Sequence, residues 1–239
     1  MPTRRRLIAF TSGAISTSLA GCVTNSNSPA SCTDDGNSGD STDDGNGEGA
    51  TSGSDEHDHE SGHELGHPET QIDVRMESDG DCNHFVPHVV HIEEGGTVRW
   101  VLESGAHDTV SYHPNNADLL PSATERRMPE EARPWRSELY RTRGETFERT
   151  FEEAGIYDYT CTVVEHGHGP DRGQGPYGHH QTHEATGMVG RVIVGKPELD
   201  SDAQPALQSP ADGLPDAAKR ELEGFNKRTR AALEHPDEH

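Results

Sequence analysis

The 239 residues carry 43 acidic against 20 basic side chains, a formal charge of −23, and only 29% of them are hydrophobic. Such an excess of negative charge repels nucleic-acid phosphates and anionic lipid headgroups, so no nucleic-acid partner is expected. Four cysteines in a chain of this length do not make a disulfide scaffold.

At the N-terminus Arg4-Arg5-Arg6 precedes an apolar run that ends in Leu19-Ala20-Gly21-Cys22. The 15 residues from Leu7 to Gly21 are broken by Ser, Thr and Gly, too short and too polar for a bilayer that needs ~20 apolar residues. Residues 1–21 therefore read as a cleaved export signal with a lipobox. The paired arginines suggest the twin-arginine route, and the resemblance to bacterial and archaeal lipoproteins makes Cys22 the lipidated N-terminus of the mature chain. That expectation places the protein on the extracytoplasmic face of the cell membrane. Loss of the three leader arginines takes the formal charge from −23 to −26. Seventeen of the basic residues are Arg and three are Lys, and the carboxylate-rich composition resembles that of proteins from salt-adapted, halophilic organisms.

Residues 22–70 form an acidic tether in this reading. Val23 to Thr70 holds twelve acidic residues and no Lys or Arg, so it cannot bury a core and is expected to be disordered. Its 48 residues would span about 40 Å r.m.s. as a Gly-rich coil.

From residue 71 the texture changes to short apolar runs bounded by Gly, Pro and Asp. Strands are expected at Gln71 to Met76, His88 to Ile92, Thr97 to Leu102, Asp108 to Tyr112, Thr146 to Phe151, Ile156 to Cys161 and Met188 to Val194. Seven short strands with turn signals between them argue an all-β sandwich over 71–197. Asn115 to Arg143, rich in Pro and charge, reads as a long connection with one turn of helix. In the polar tail, 198–239, Ala218, Leu222, Phe225, Thr229 and Ala232 recur at helical spacing. They predict a short amphipathic helix from about Asp216 to Leu233, loosely attached because its apolar face is thin.

The residues that carry chemistry are His107 in Gly105-Ala106-His107-Asp108, Cys161 closing Tyr159-Thr160-Cys161, and His183 and Met188 in Thr182-His183-Glu184-Ala185-Thr186-Gly187-Met188-Val189-Gly190. Two imidazoles, a thiolate and a weak thioether are the donors of a blue-copper electron-transfer site. Together with Phe85-Val86-Pro87, Gly96-Thr97-Val98-Arg99-Trp100 and Gly155-Ile156-Tyr157-Asp158-Tyr159, these stretches make the chain similar to the cupredoxins, most closely the plastocyanin, pseudoazurin and halocyanin group. The resemblance implies a cupredoxin-like Greek-key β-sandwich. It also implies one type 1 copper held by His107, Cys161, His183 and Met188, and partner docking at an apolar patch around the exposed edge of the C-terminal His ligand.

One departure stands out. The family places its second His two or three residues after the Cys, whereas 21 residues, Thr162 to Thr182, separate Cys161 from His183. The insert makes His166 an alternative ligand; His183 is preferred because its spacing to Met188 and the following strand keep the family pattern. A second metal site from His166, His168, His179 and His180 is conceivable, since imidazole suits Cu and Zn. For His88, His91 and His113 an exposed, solvated imidazole is the default. If Cys22 is lipidated and Cys161 holds metal, Cys32 and Cys82 remain to pair.

The functional expectation is a membrane-anchored, monomeric carrier, not an enzyme, that shuttles single electrons between membrane-bound or soluble redox proteins of an electron transport chain. The alternative is a copper- or zinc-scavenging or copper-delivery lipoprotein that uses the His-rich segments.

Overall fold

Strand β1 (Glu69–Asp79) alternates along its length, turning Ile72, Val74 and Met76 inward, as a strand with one buried face must. It pairs antiparallel with β2 (Cys82–Val86) and parallel with β3 (Val89–Leu102). The computed structural model describes residues 65, 67–80, 82–120, 125–166 and 180–234, all within the unit Ser31–His239. The export signal, Cys22, Cys32 and nearly all of the tether lie outside the described residues, as do the functional expectations placed on them.

The two strands expected at His88 to Ile92 and Thr97 to Leu102 are one continuous strand, β3, bent at its middle. Glu93, Glu94 and Gly95 are exposed at the bend. Gly95 has φ +81°, and a Cβ on Gly96 would lie 2.8 Å from the Glu93 carbonyl oxygen, so the turn requires glycine at both positions. The bend lets β3 serve two sets of partners. Its second half lies between β1 and β5 (Thr146–Phe151), and its first half pairs with β9 (Val189–Val194). Beyond β9 the ladder continues to β6 (Gly155–Thr160) and the two-residue β4 (Val110–Ser111). Two faces therefore close on one core, in which Trp100 of β3 meets Tyr159 of β6 edge-on at 5.3 Å between ring centroids. The all-β sandwich and the C-terminal helix agree with the sequence. The β1 strand starts at Glu69, two residues before the expected domain boundary, and β2 was not foreseen.

Helix α1 (Asp216–Glu234) is not loosely attached. Leu222 and Phe225 are fully buried against Val89, Tyr112, Val189 and Ile193, and the polar side of its buried stripe is occupied as well. Arg191 of β9 donates through NH1 to Thr229 Oγ1 (3.0 Å) and through NH2 to Asn226 Oδ1 (2.8 Å) of the helix. The same guanidinium pairs with Asp158 of β6 at 2.6 Å, and Asp158 also receives Arg127 at 2.9 Å. All three charged groups are buried. The thin apolar face is thus supplemented by a dry ionic clamp.

Candidate metal centre

Three chain segments deliver donors to one end of the sandwich. His107 sits just before β4, where its backbone exchanges hydrogen bonds with Tyr140 (3.1 and 2.9 Å). Cys161 follows β6 directly. His183 opens a single 3-10 turn, Glu184–Thr186, that leads through Gly187 to Met188 and β9. The 21-residue separation is closed by a small hairpin: β7 (Val164–His166) pairs antiparallel with β8 (His180–Thr182), and His183 N donates to Val163 O at 2.9 Å. The chain leaves after Val163 and returns at His183. Counted across the hairpin stem, two residues separate the thiol from the imidazole, the spacing that the resemblance implied.

His107 Nδ1, His183 Nδ1 and Cys161 Sγ converge. They are 3.1 Å apart between the nitrogens, 3.3 Å from Sγ to His183 Nδ1 and 3.7 Å from Sγ to His107 Nδ1. Donors at about 2.0–2.1 Å (N) and 2.3 Å (S) from a common ion, at angles of about 100–120°, stand about 3.1–3.8 Å from one another, and the three observed separations fall in that range. His107 and Cys161 are 0% exposed, His183 and Met188 1%. Among the described residues this is the one group of three or more His, Cys, Asp or Glu side chains with ligand spacing. Met188 is buried in the same core cluster as Cys161, and its carbonyl accepts from Cys161 N at 3.2 Å. The donor set fits one type 1 copper.

The surroundings hold the donors in place. Asp108 N donates to Cys161 Sγ at 3.4 Å, and the Asp108 carboxylate accepts from Thr162 N (2.6 Å) and from Thr162 Oγ1. One residue thereby ties the His107 loop to the Cys161 loop. Burial, then the Asp108 charge, pushes the Cys161 thiol well above its usual range, so the thiolate requires a bound cation. Burial, then the neighbouring His183, lowers His107 to about 4, which keeps its imidazole neutral and available as a ligand at neutral pH. On the outer side of the ligand loop, Tyr112 OH donates to the buried Glu184 carboxylate at 2.9 Å. The loop also rests on α1, since a Cβ on Gly187 would lie 3.5 Å from the Ala217 methyl.

Residues 72–169 match the sequence model of the copper-binding proteins of the plastocyanin/azurin family. The domain is a cupredoxin. The match ends inside the insert, before His183 and Met188, which the hairpin stem returns to the site. Among solved structures the cupredoxin domain is similar to pseudoazurin from Methylobacterium extorquens AM1, at 17% identity over 66% of this chain and 98% of that one, with a TM-score of 0.43. A purple cupredoxin from Nitrosopumilus maritimus (21%; 51% and 97%; 0.31) and a copper-containing nitrite reductase from Thermus scotoductus SA-01 (22%; 54% and 23%; 0.32) are also similar.

Of the residues singled out in the sequence, the cupredoxin fold brings His107, Cys161 and His183 together, with Met188 in the adjoining core. The side chain of His166 and residues His168 and His179 lie outside the described residues, and so does any second site built on them. Cys82 is disulfide-bonded, and Cys161 is a free thiol. His91 and His113 are buried rather than solvated. His91 Nε2 lies 2.6 Å from the Gly195 carbonyl with Nδ1 against that of Leu65, and His113 Nδ1 accepts from Asn115 N at 3.0 Å. His183, the C-terminal His ligand, is buried as well, at 1% exposure. Sequence reasoning missed Asp108 and Thr162 as partners, although the Asp108 position directly after a candidate ligand was the available signal.

Proposed function

We propose that this cupredoxin is a blue-copper electron carrier, anchored by lipid on Cys22 at the extracytoplasmic face of the membrane, that passes single electrons between redox proteins of a transport chain. The observation that carries the reading is the convergence of one thiol and two imidazoles, all buried, at one end of the sandwich. Copper supplies the one-electron change between Cu(I) and Cu(II). The protein's part is to hold His107, Cys161, His183 and Met188 in one arrangement for both states, so that little reorganises when an electron arrives. The burial of all four side chains supports the carrier reading, in which the metal exchanges electrons and its ligands need no contact with a substrate.

The test is spectroscopic and electrochemical. The copper-loaded chain is expected to show an intense visible thiolate-to-Cu(II) absorption and a reversible one-electron couple, both lost in Cys161→Ser. His166→Ala should keep the colour and His183→Ala should lose it. A colourless Cu(II) complex without a stable couple would reject the carrier in favour of copper scavenging or delivery.

A further inference from the structure

His107 has a second nitrogen, and its surroundings are built as closely as those of Nδ1. Nε2 lies 3.1 Å from Ser78 Oγ of β1. The same hydroxyl is 2.6 Å from Asn83 Oδ1 of β2, and Ser78 stands opposite Asn83 in the β1–β2 ladder. A hydroxyl has one proton to give. Spent on the Asn83 carbonyl oxygen, that proton leaves a lone pair of Ser78 Oγ facing His107, and only an Nε2–H can meet it. The proton on Nε2 frees Nδ1 to face Cys161 and His183.

Two further features hold Ser78 in position. Ser78 N donates to Ser104 Oγ (2.8 Å), and Ser104 Oγ returns a bond to Ser78 O (3.0 Å), so the loop before His107 is laced to β1. At Gly105, with φ +77°, a Cβ would sit 2.1 Å from Ser78 Oγ and 3.0 Å from His107 Nε2. Glycine there permits the close approach. Asn83 is 3% exposed and His107 fully buried, while Ser78 between them is half-buried.

We propose that Ser78 and Asn83 are positioning residues of the metal centre: the Asn83–Ser78 relay fixes the Nε2–H tautomer and ring orientation of His107, presenting Nδ1 as a ready-made ligand. The role deepens the copper reading and rests on it for its purpose, but the tautomer itself can be measured without metal. Outer partners of this kind are typically worth 10–100-fold in metal affinity.

The experiment uses the full-length chain, 15N-labelled at histidine, metal-free at pH 8, with long-range proton–nitrogen correlations of the His107 ring. The wild type is expected to carry its proton on Nε2. Ser78→Ala should give mixed tautomers, Asn83→Ala a partial shift in the same direction, and Asn83→Asp, which keeps an acceptor for the hydroxyl, the wild-type tautomer. Cu(II) affinity by chelator competition should fall about 10–100-fold in Ser78→Ala and stay near wild type in Asn83→Asp. Retention of the Nε2–H tautomer and of affinity in Ser78→Ala overturns the proposal. Should that variant fail to fold, an unchanged tautomer in Asn83→Ala overturns it instead. A wild-type chain that binds copper without thiolate colour would reject the carrier reading alone, because the tautomer result stands without metal.

Discussion

At the scale of single residues, the site is governed by charge in a dry place. The Asp108 carboxylate lies beside the thiol and is hydrogen-bonded to Thr162. A negative charge there favours the more positive oxidation state. Asp108→Asn keeps the acceptor for Thr162 N and removes the charge, and should raise the reduction potential. With an effective dielectric near 20 a neighbouring unit charge contributes about 2–4 kcal/mol, on the order of 100 mV for one electron; protein-film voltammetry reads the shift. His107 gives a second expectation, for the metal-free chain. Its folded-state pKa is about 4 against 6.5 for the free side chain, so the native state refuses a proton that the unfolded state accepts. The associated stability is fully present above pH 6.5 and is lost as pH falls from there toward 4, by up to about 3 kcal/mol. Urea unfolding at pH 7.5 and pH 4.5 should show that loss in the metal-free wild type and a smaller one in His107→Gln.

Among the elements, α1 and its clamp separate what a sequence discloses from what it hides. The helix was readable because Ala218, Leu222, Phe225, Thr229 and Ala232 repeat at helical spacing. Its docking was not, because the anchoring partners are charged: Arg191 interrupts an otherwise apolar β9, and Arg127 and Asp158 come from a loop and a strand with no motif between them. Removal of the shared anion leaves two buried guanidiniums facing one another, so Asp158→Ala should cost about 3–5 kcal/mol, read as a lowered urea midpoint. The strands divide in the same way. Apolar alternation marked β1 and the two arms of β3, whereas β2, Cys82-Asn83-His84-Phe85-Val86, offers only Phe85 as a fully buried apolar residue. The continuity of β3 through Glu93-Glu94-Gly95-Gly96 was hidden because two acids and two glycines look like a loop. At the site, the ligand types and their order were legible, but Ser78, Asn83 and Gly105 lie in no pattern that sequence spacing reveals; only the ladder register brings Ser78 and Asn83 face to face.

For the whole molecule, a lipid on Cys22, as proposed, would hold the cupredoxin domain at the membrane. Cys22→Ala should move the protein from the membrane pellet to the soluble fraction without altering its visible spectrum, as fractionation and absorption would show. The domain itself is arranged so that the hairpin stem β7–β8 insulates the ligands from whatever chain length lies beyond it: the Val163–His183 hydrogen bond closes the circuit before the rest of the insert begins. Loops of different length or composition grafted between His166 and His180, beyond the stem, should therefore leave the colour of the copper centre unchanged. The stem thereby acts as a socket: what is plugged in beyond it can be exchanged beside the metal centre without re-tuning it.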